Sequence, residues 1–242
     1  MMEMLLFIGA FMLAGWIQGL LGFGFAVATT LMLVNTVDFT TLVFLNLAMS
    51  LVTSIIAMLS AKNLKAINKP TLIKLVLSAT VGLAIGIVLI NRIDTVMLKK
   101  ITLAVILLAS LVSLRNNKAF FAHSYMAWFT GVFSGVLTPS TGINGPLVAL
   151  HLNAAFKDKQ QIRTTMLAYL FLIMTFGVMS MMLQASFSSK TWATVGKVIM
   201  PSIAGYIAGL QSFKLLSDSF FKKMVTVFLI CSSLLSLIYL II

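Results

Sequence analysis

The chain has 242 residues, of which 60% are hydrophobic and only 9% are charged. A soluble domain normally carries about 25% charged residues, so this composition excludes an ordinary soluble protein. The formal net charge of +12 would favour nucleic-acid binding in a soluble protein. Here the basic residues fall between apolar runs, where such charges set membrane topology. No basic cluster is interleaved with aromatic residues that could stack on bases, so we expect no nucleic-acid partner.

Apolar runs of about the length that crosses a bilayer recur along the whole chain, which predicts an all-α polytopic membrane protein. About eight such segments fall into two four-segment halves, residues 1–118 and 119–242, on either side of a polar linker at residues 115–118. Asp38 is a predicted helix cap ahead of the second segment. The predicted segments cover about residues 4–34, 41–61, 72–90 and 98–114 in the first half, and about 124–153, 164–184, 193–211 and 220–242 in the second.

Segments one and five are longer than one crossing needs, and each is broken in the middle. Glycines interrupt the first near residues 22–25, and two prolines and two glycines fall within residues 138–146 of the fifth. Because proline removes a backbone donor and clashes with the preceding turn, we expect no continuous helix there. Irregular backbone at membrane depth is tolerated only where it is buried in protein or lines a polar cavity. The breaks therefore predict a substrate-binding site, with candidate residues Gln18, Gly22, Phe23, Gly24, Asn46, Thr138, Pro139, Ser140, Thr141, Gly142, Asn144 and Gly145.

The chemistry of the second break favours an anion. Hydroxyl groups on residues 138, 140 and 141, the Asn144 amide and backbone N–H groups freed at helix ends are all donors. Pro146 suits the first turn of a returning helix. No Lys or Arg lies within the apolar runs near either break, so we expect the site to use neutral dipoles. Interhelical hydrogen bonding explains Gln18 and Asn46 equally well.

Other chemistry is poorly represented. A single cysteine and two histidines provide no metal-ligand cluster, and no catalytic set of His, Asp and Glu is evident. We therefore expect no metal, no cofactor and no enzymatic activity. His151, near the end of the fifth segment, is more typical of an interfacial residue than of a proton carrier. The N-terminus lacks the positive region of a cleaved signal peptide, so the first apolar run is expected to remain in the mature protein.

Spaced glycines indicate an internal repeat. Glycines four residues apart are ordinary helix-packing positions, but their recurrence in both halves favours a duplication. The pairs 82/86 and 205/209 share an offset of 123 with Lys99-Lys100 and Lys222-Lys223, whereas the pairs 15/19 and 131/135 differ by 116.

The positive charges favour one topology. If every segment crosses once, the two sides carry 9 and 8 Lys and Arg residues, which gives no bias. If segments one and five are re-entrant hairpins, one side carries 12 and the other 5. The positive-inside rule favours the second arrangement, with both termini outside and the two halves as inverted repeats. Secondary transporters build their sites from such paired broken segments.

The duplicated four-segment plan, the G-x-x-x-G-x-x-G-x-G stretch at residues 15–24 and its counterpart in the second half resemble the TauE/SafE family of sulfite exporters. Here Phe23 and Phe25 intervene in the first glycine cluster, and Thr-Pro-Ser-Thr replaces the second. The resemblance implies a permease that carries a small sulfur-containing or organic anion across the bacterial inner membrane. A membrane-embedded enzyme and a structural membrane protein are the alternatives. The direction of transport, a coupling ion (H⁺ or Na⁺) and a homo-oligomer are left open.

Overall fold

The computed structural model describes residues 2–60, 64–90, 118–184 and 187–241, together with 92–94, 96, 97, 100, 101, 104 and 107. Every regular element among these residues is helical, which confirms the predicted all-α class. The predicted segment at 98–114 falls largely outside the described residues. The α-helices are α1 (Met2–Leu21), α2 (Phe25–Leu33), α3 (Phe39–Ser60), α4 (Lys69–Ile90), α5 (Lys118–Ala122), α6 (Tyr125–Thr141), α7 (Gly145–Ala155), α8 (Lys159–Gln184), α9 (Ser189–Leu215) and α10 (Asp218–Ile241), and a 3₁₀ turn covers Leu64–Ala66.

Four of these helices are long and apolar enough to cross a bilayer: α3, α4, α8 and α9. A shorter apolar helix covers Leu5–Leu21. α3 and α8 contact each other and form the centre of the bundle, and they are the most buried of the four. α4 and α9 keep large apolar side chains such as Leu77, Val81 and Met200 exposed. An apolar outer surface of this kind faces lipid, so the chain is a multi-pass membrane protein.

Short polar side chains set where the long helices begin. The Asp38 carboxylate accepts a hydrogen bond from the amide of Thr41 at 2.9 Å, which confirms the predicted cap at the start of α3. Asp158 accepts from the amides of residues 160 and 161 at the start of α8. Asn68 and Ser188 cap α4 and α9 in the same way. These carboxylate and hydroxyl oxygens satisfy amides that have no partner inside the helix.

The spaced glycines are the points where helices from the two halves touch most closely. A methyl group on Gly205 of α9 would lie 1.9 Å from the carbonyl oxygen of Met12 in α1. On Gly82 of α4 it would lie 2.0 Å from the carbonyl oxygen of Val132 in α6. Only a residue without a side chain allows backbones to approach this closely. Each of these helix pairs joins residues 1–118 to residues 119–242, so the halves interlock.

The helix ends that flank the two breaks recur at one spacing. α1 and α6 end at Leu21 and Thr141, and α2 and α7 begin at Phe25 and Gly145, each pair 120 residues apart. This spacing differs by about one helical turn from the predicted offset of 116 for α1 and α6. At a spacing of 120, Gly15 and Gly135 stand at the same distance from the ends of their helices.

Candidate functional site

The first break separates α1 from α2. Gly22 and Gly24 have φ angles of +85° and +97°, in the left-handed region that side chains disfavour. The amide of Gly22 donates to the carbonyl of Gln18 at 2.8 Å and closes the last turn of α1. The ring of Phe25, the first residue of α2, lies only 5.8 Å from the ring of Phe11 in α1.

The second break separates α6 from α7 and is shorter than expected. Only residues 142–144 are non-helical, and Gly142 has a φ of +69°. Pro139 lies inside α6, so the non-helical segment begins four residues later than the predicted break at 138–146. The helix loses one hydrogen bond at Pro139 but continues for two more residues, and it ends where Gly142 permits the left-handed turn. Pro146 occupies the first turn of α7, as predicted.

The three hydroxyl groups before this break bind their own helix. Thr138 donates to the carbonyl of Ser134 at 2.8 Å, and Thr141 donates to that of Leu137 at 2.9 Å. Ser140 donates to the carbonyl of Val136 at 3.2 Å. Back-bonding of this kind is the usual arrangement for Ser and Thr within helices. In this conformation the three hydroxyls donate to carbonyls of α6, and their role as donors to an anion stays a prediction.

The two breaks meet around one small buried cavity. A methyl group on Gly145 would lie 3.0 Å from the Cβ of Phe23, so the second break packs against the first. The space between them is about 10 Å³, which is room for about one water molecule. Its walls are formed by residues 23–27 and 143–146 together with Gln18, Ser50, Leu170 and Met174.

The predicted site residues divide into two groups. Those that line this cavity are Gln18, Phe23, Gly24, Asn144 and Gly145. Asn46 lies outside it and hydrogen-bonds to Thr29 and Thr30 of α2, which matches the interhelical alternative. The other predicted residues lie within the breaks or next to them but are not among the cavity-lining residues: Gly22, Thr138, Pro139, Ser140, Thr141 and Gly142.

The cavity walls present unpaired polar groups. α2 and α7 both begin here, and neither start has a side-chain cap. The Gln18 amide donates to the Ser50 carbonyl at 3.3 Å and to the Ser54 hydroxyl at 3.2 Å. Its oxygen, Oε1, is buried and has no hydrogen-bond partner among the described residues. A buried acceptor without a partner requires a donor, such as a water molecule or a ligand O–H group.

Two residues that support the second break were not predicted. The hydroxyl of Ser134 donates to the backbone oxygen of Asn144 at 2.6 Å, and it lies 2.6 Å from the phenol oxygen of Tyr169. Both side chains are fully buried. They join α6 and α8 to the non-helical residues and hold Asn144 in place. Neither residue type nor spacing marks them in the sequence, because a lone Ser or Tyr in an apolar run is common.

Arg163 also lies against the first break, a full charge that was not predicted there, although it is not among the residues that line the small cavity. Its Nε donates to the carbonyl of Gly19 at 2.9 Å, and its Cγ is 3.1 Å from where a methyl group on Gly22 would lie. The predicted segment begins at residue 164 and leaves this arginine in a loop. The Asp158 cap starts α8 at Lys159 instead, so Arg163 stands in the second turn and is only 4% exposed.

The helices described above define a multi-pass, all-α membrane protein, and in the described residues no group of three His, Cys, Asp or Glu could hold a metal. Residues 7–236 match the family Sulfite exporter TauE/SafE, so the chain belongs to that family and the resemblance noted from the sequence is confirmed. TauE/SafE is a transporter family, which indicates a membrane transporter or permease. No curated protein and no solved structure matches the chain.

Proposed function

We propose that the protein is a secondary transporter that carries a small sulfur-containing or organic anion across the bacterial inner membrane. The proposed binding site lies where the two breaks meet. The observation that carries this proposal is the meeting of two helix starts, those of α2 and α7, at one buried polar cavity without side-chain caps. Free N–H groups and an aligned dipole at a helix start favour negative charge.

The proposed architecture consists of two homologous halves with inverted orientation, each starting with a re-entrant hairpin. In a straight helix, residues 11 and 25 would be about 21 Å apart, so the 5.8 Å separation of their rings supports a chain that turns back at the first break. The common spacing of 120 residues between helix ends supports the duplication. Such an arrangement is the usual basis of a midplane site in secondary transporters.

Neutral donors suit the transport of a singly charged anion. They bind it without the strong attraction of a second full charge, so release is not prohibitively slow, and a multiply charged anion would lose more hydration. The cavity has room for about one water molecule, so this conformation corresponds to a closed state. Binding would require α2 and α7 to separate, and access would alternate as one half moves against the other.

Reconstitution into liposomes tests the proposal. Wild-type protein should accumulate one of a panel of hydrogen sulfite, methanesulfonate and acetate without chemical change, in preference to the doubly charged sulfoacetate. Anion uptake measured with an imposed pH or Na⁺ gradient then shows which ion drives transport. Asn144→Ala should abolish flux, because Asn144 lines the cavity and its backbone is held by Ser134.

Asn46→Ala is the matched control for that variant. Asn46 is the same residue type and equally buried, but it binds α2 outside the cavity. It should lower the melting temperature and leave the KM of the folded protein unchanged. Equal flux in wild type and Asn144→Ala would contradict a site at the breaks.

A further inference from the structure

A second, larger cavity lies at one end of the bundle. It measures about 190 Å³ and is enclosed by the last turns of α3 and α9 and the first turns of α8. Its polar lining includes Arg163, Tyr206, Lys214 and Gln160. The size is sufficient for a small organic anion, whereas the cavity between the breaks is not. Two basic residues and no acidic residue line it.

No carboxylate in the described part of the chain balances the charge of Arg163. Among the residues that the structure describes, the only side chain that hydrogen-bonds to its guanidinium is Tyr206, at 3.2 Å from Nη2 to the phenol oxygen. Of five N–H donors on a guanidinium, one binds this phenol and one binds the carbonyl of Gly19. The neighbouring carboxylates are occupied elsewhere: Asp158 and Asp218 accept from backbone amides at residues 159–161. A charge that is only 4% exposed is costly to bury without a counter-ion.

The phenol of Tyr206 is available as a further donor. Its oxygen accepts from Arg163, and no described residue accepts its proton. The faces of Phe213 and Tyr206 lie 4.7 and 5.9 Å from the guanidinium carbon and hold the guanidinium plane in place. A fixed planar guanidinium with unused donors matches two oxygens of a sulfonate, sulfite or carboxylate group.

We propose that this cavity is a binding site for a small singly charged oxyanion, held by Arg163, the Tyr206 hydroxyl and Lys214. The inference rests on the proposed transport function, to which it adds an access site. Lys214 is exposed at the rim and attracts the anion, and Arg163 binds it. With the proposed topology, the cavity opens to the cytoplasm.

The site is adjacent to the cavity between the breaks. Leu167 lines the larger cavity and Leu170 lines the smaller one, and the two are one turn apart on α8, with a rise of about 4.5 Å. Gln18, which lines the smaller cavity, is next in sequence to Gly19, whose carbonyl binds Arg163. An anion on Arg163 therefore has a short path to the breaks, closed in this conformation by the leucines and by the bond from Gln18 to Ser54.

The two breaks differ in the residue that packs against their glycine. Gly22 packs against Arg163, whereas Gly142, which stands 120 residues later, packs against Val43. Val43 is itself 120 residues before Arg163. Among the residues that the structure describes, the second break therefore has no equivalent cation, and the access site is specific to one face of the membrane.

Binding of methanesulfonate to purified protein in neutral phosphatidylcholine nanodiscs tests the proposal. Wild type should bind methanesulfonate, and Arg163→Gln should weaken the binding at least tenfold. Arg163→Lys should bind more tightly than Arg163→Gln but less tightly than wild type, because lysine keeps the positive charge and lacks the paired N–H donors of the guanidinium. Tyr206→Phe should weaken binding a few-fold. Lys157→Gln, a basic-residue control on an exposed loop, should leave affinity unchanged. Unchanged affinity in folded Arg163→Gln would overturn the proposal.

Arg163→Gln could fail to fold, because Arg163 also binds the end of α1. In that case Tyr206→Phe and Lys214→Gln provide the test, since the hydrogen bond to the Gly19 carbonyl comes from Arg163 and both variants retain it. Unchanged affinity in both would overturn the proposal. A last measurement compares how much phosphatidylglycerol stabilises wild type and Tyr206→Phe. If methanesulfonate does not bind in neutral discs, and this lipid stabilises wild type more than Tyr206→Phe, the cavity holds a lipid phosphate and the soluble-anion site is overturned.

The outcomes separate this site from the transport proposal. Asn144→Ala should lose flux, and the methanesulfonate binding that this variant retains should still depend on Arg163, because Asn144 is outside the larger cavity. Loss of flux in Asn144→Ala with unchanged binding in the variants of residues 163, 206 and 214 would leave transport standing and remove this site. If the protein transports no anion but its methanesulfonate binding depends on those three residues, the transport proposal fails and this binding site stands.

Discussion

Replacing Gly205 by alanine should destabilise the protein strongly, because the added methyl group has no space. It would lie 1.9 Å from the carbonyl oxygen of Met12, whereas ordinary contacts begin at 3.4 Å. The obstacle is backbone on another helix, so no rotamer change can relieve it, and α1 and α9 must separate by about 1.5 Å. Overpacking of this kind costs about 1–3 kcal/mol, and this contact belongs at the upper end.

A gain in helix propensity offsets part of that cost. Alanine is favoured over glycine by about 1 kcal/mol within a helix, so the expected net loss is about 2 kcal/mol. For a chain of this length, that corresponds to a melting temperature about 4–8 °C lower. The measurement is thermal unfolding of detergent-purified protein, followed by size-exclusion chromatography of the heated sample.

Gly196→Ala is a matched control on the same helix. Nothing lies within 4 Å of a methyl group at that position, so only the propensity gain applies, and the melting temperature should be equal to or higher than that of wild type. Gly82→Ala, with 2.0 Å to the Val132 carbonyl, should behave like Gly205→Ala. Equal melting temperatures for Gly205→Ala and Gly196→Ala would refute close packing between the halves.

Three further changes have defined outcomes. A cysteine at Lys65, in a Cys231→Ser background, should resist an impermeant thiol reagent in intact cells, and ready labelling would contradict the re-entrant topology. Ser134→Ala should raise the transport KM while the protein still folds, because it removes the hydrogen bond to the Asn144 carbonyl; an unchanged KM would show that this bond does not position the site. Asp38→Ala should lower stability by about 1 kcal/mol through loss of the cap, measurable as a small drop in melting temperature, and no drop would mean that water replaces the carboxylate.

The sequence alone determined the membrane class, the two interrupted segments and the glycine positions. These features depend on local composition: long apolar runs have one physical solution in lipid, and glycine supplies the positive φ angles at Gly22, Gly24 and Gly142. The Asp38 cap and Pro146 in a first turn were equally predictable, because each acts within its own turn of helix. The family resemblance followed from the same local features.

Only the tertiary structure decided which of the polar groups are free. The hydroxyls of Thr138, Ser140 and Thr141 are hydrogen-bond donors by residue type, but in the structure they donate to carbonyls of their own helix. Arg163 belonged to a loop by composition, and it lies at the first break because Asp158 extends α8 and α1 ends beside it. The hydroxyl bonds are local, whereas the position of Arg163 depends on a contact between residues 144 positions apart, and the periodicity of one segment does not contain that information.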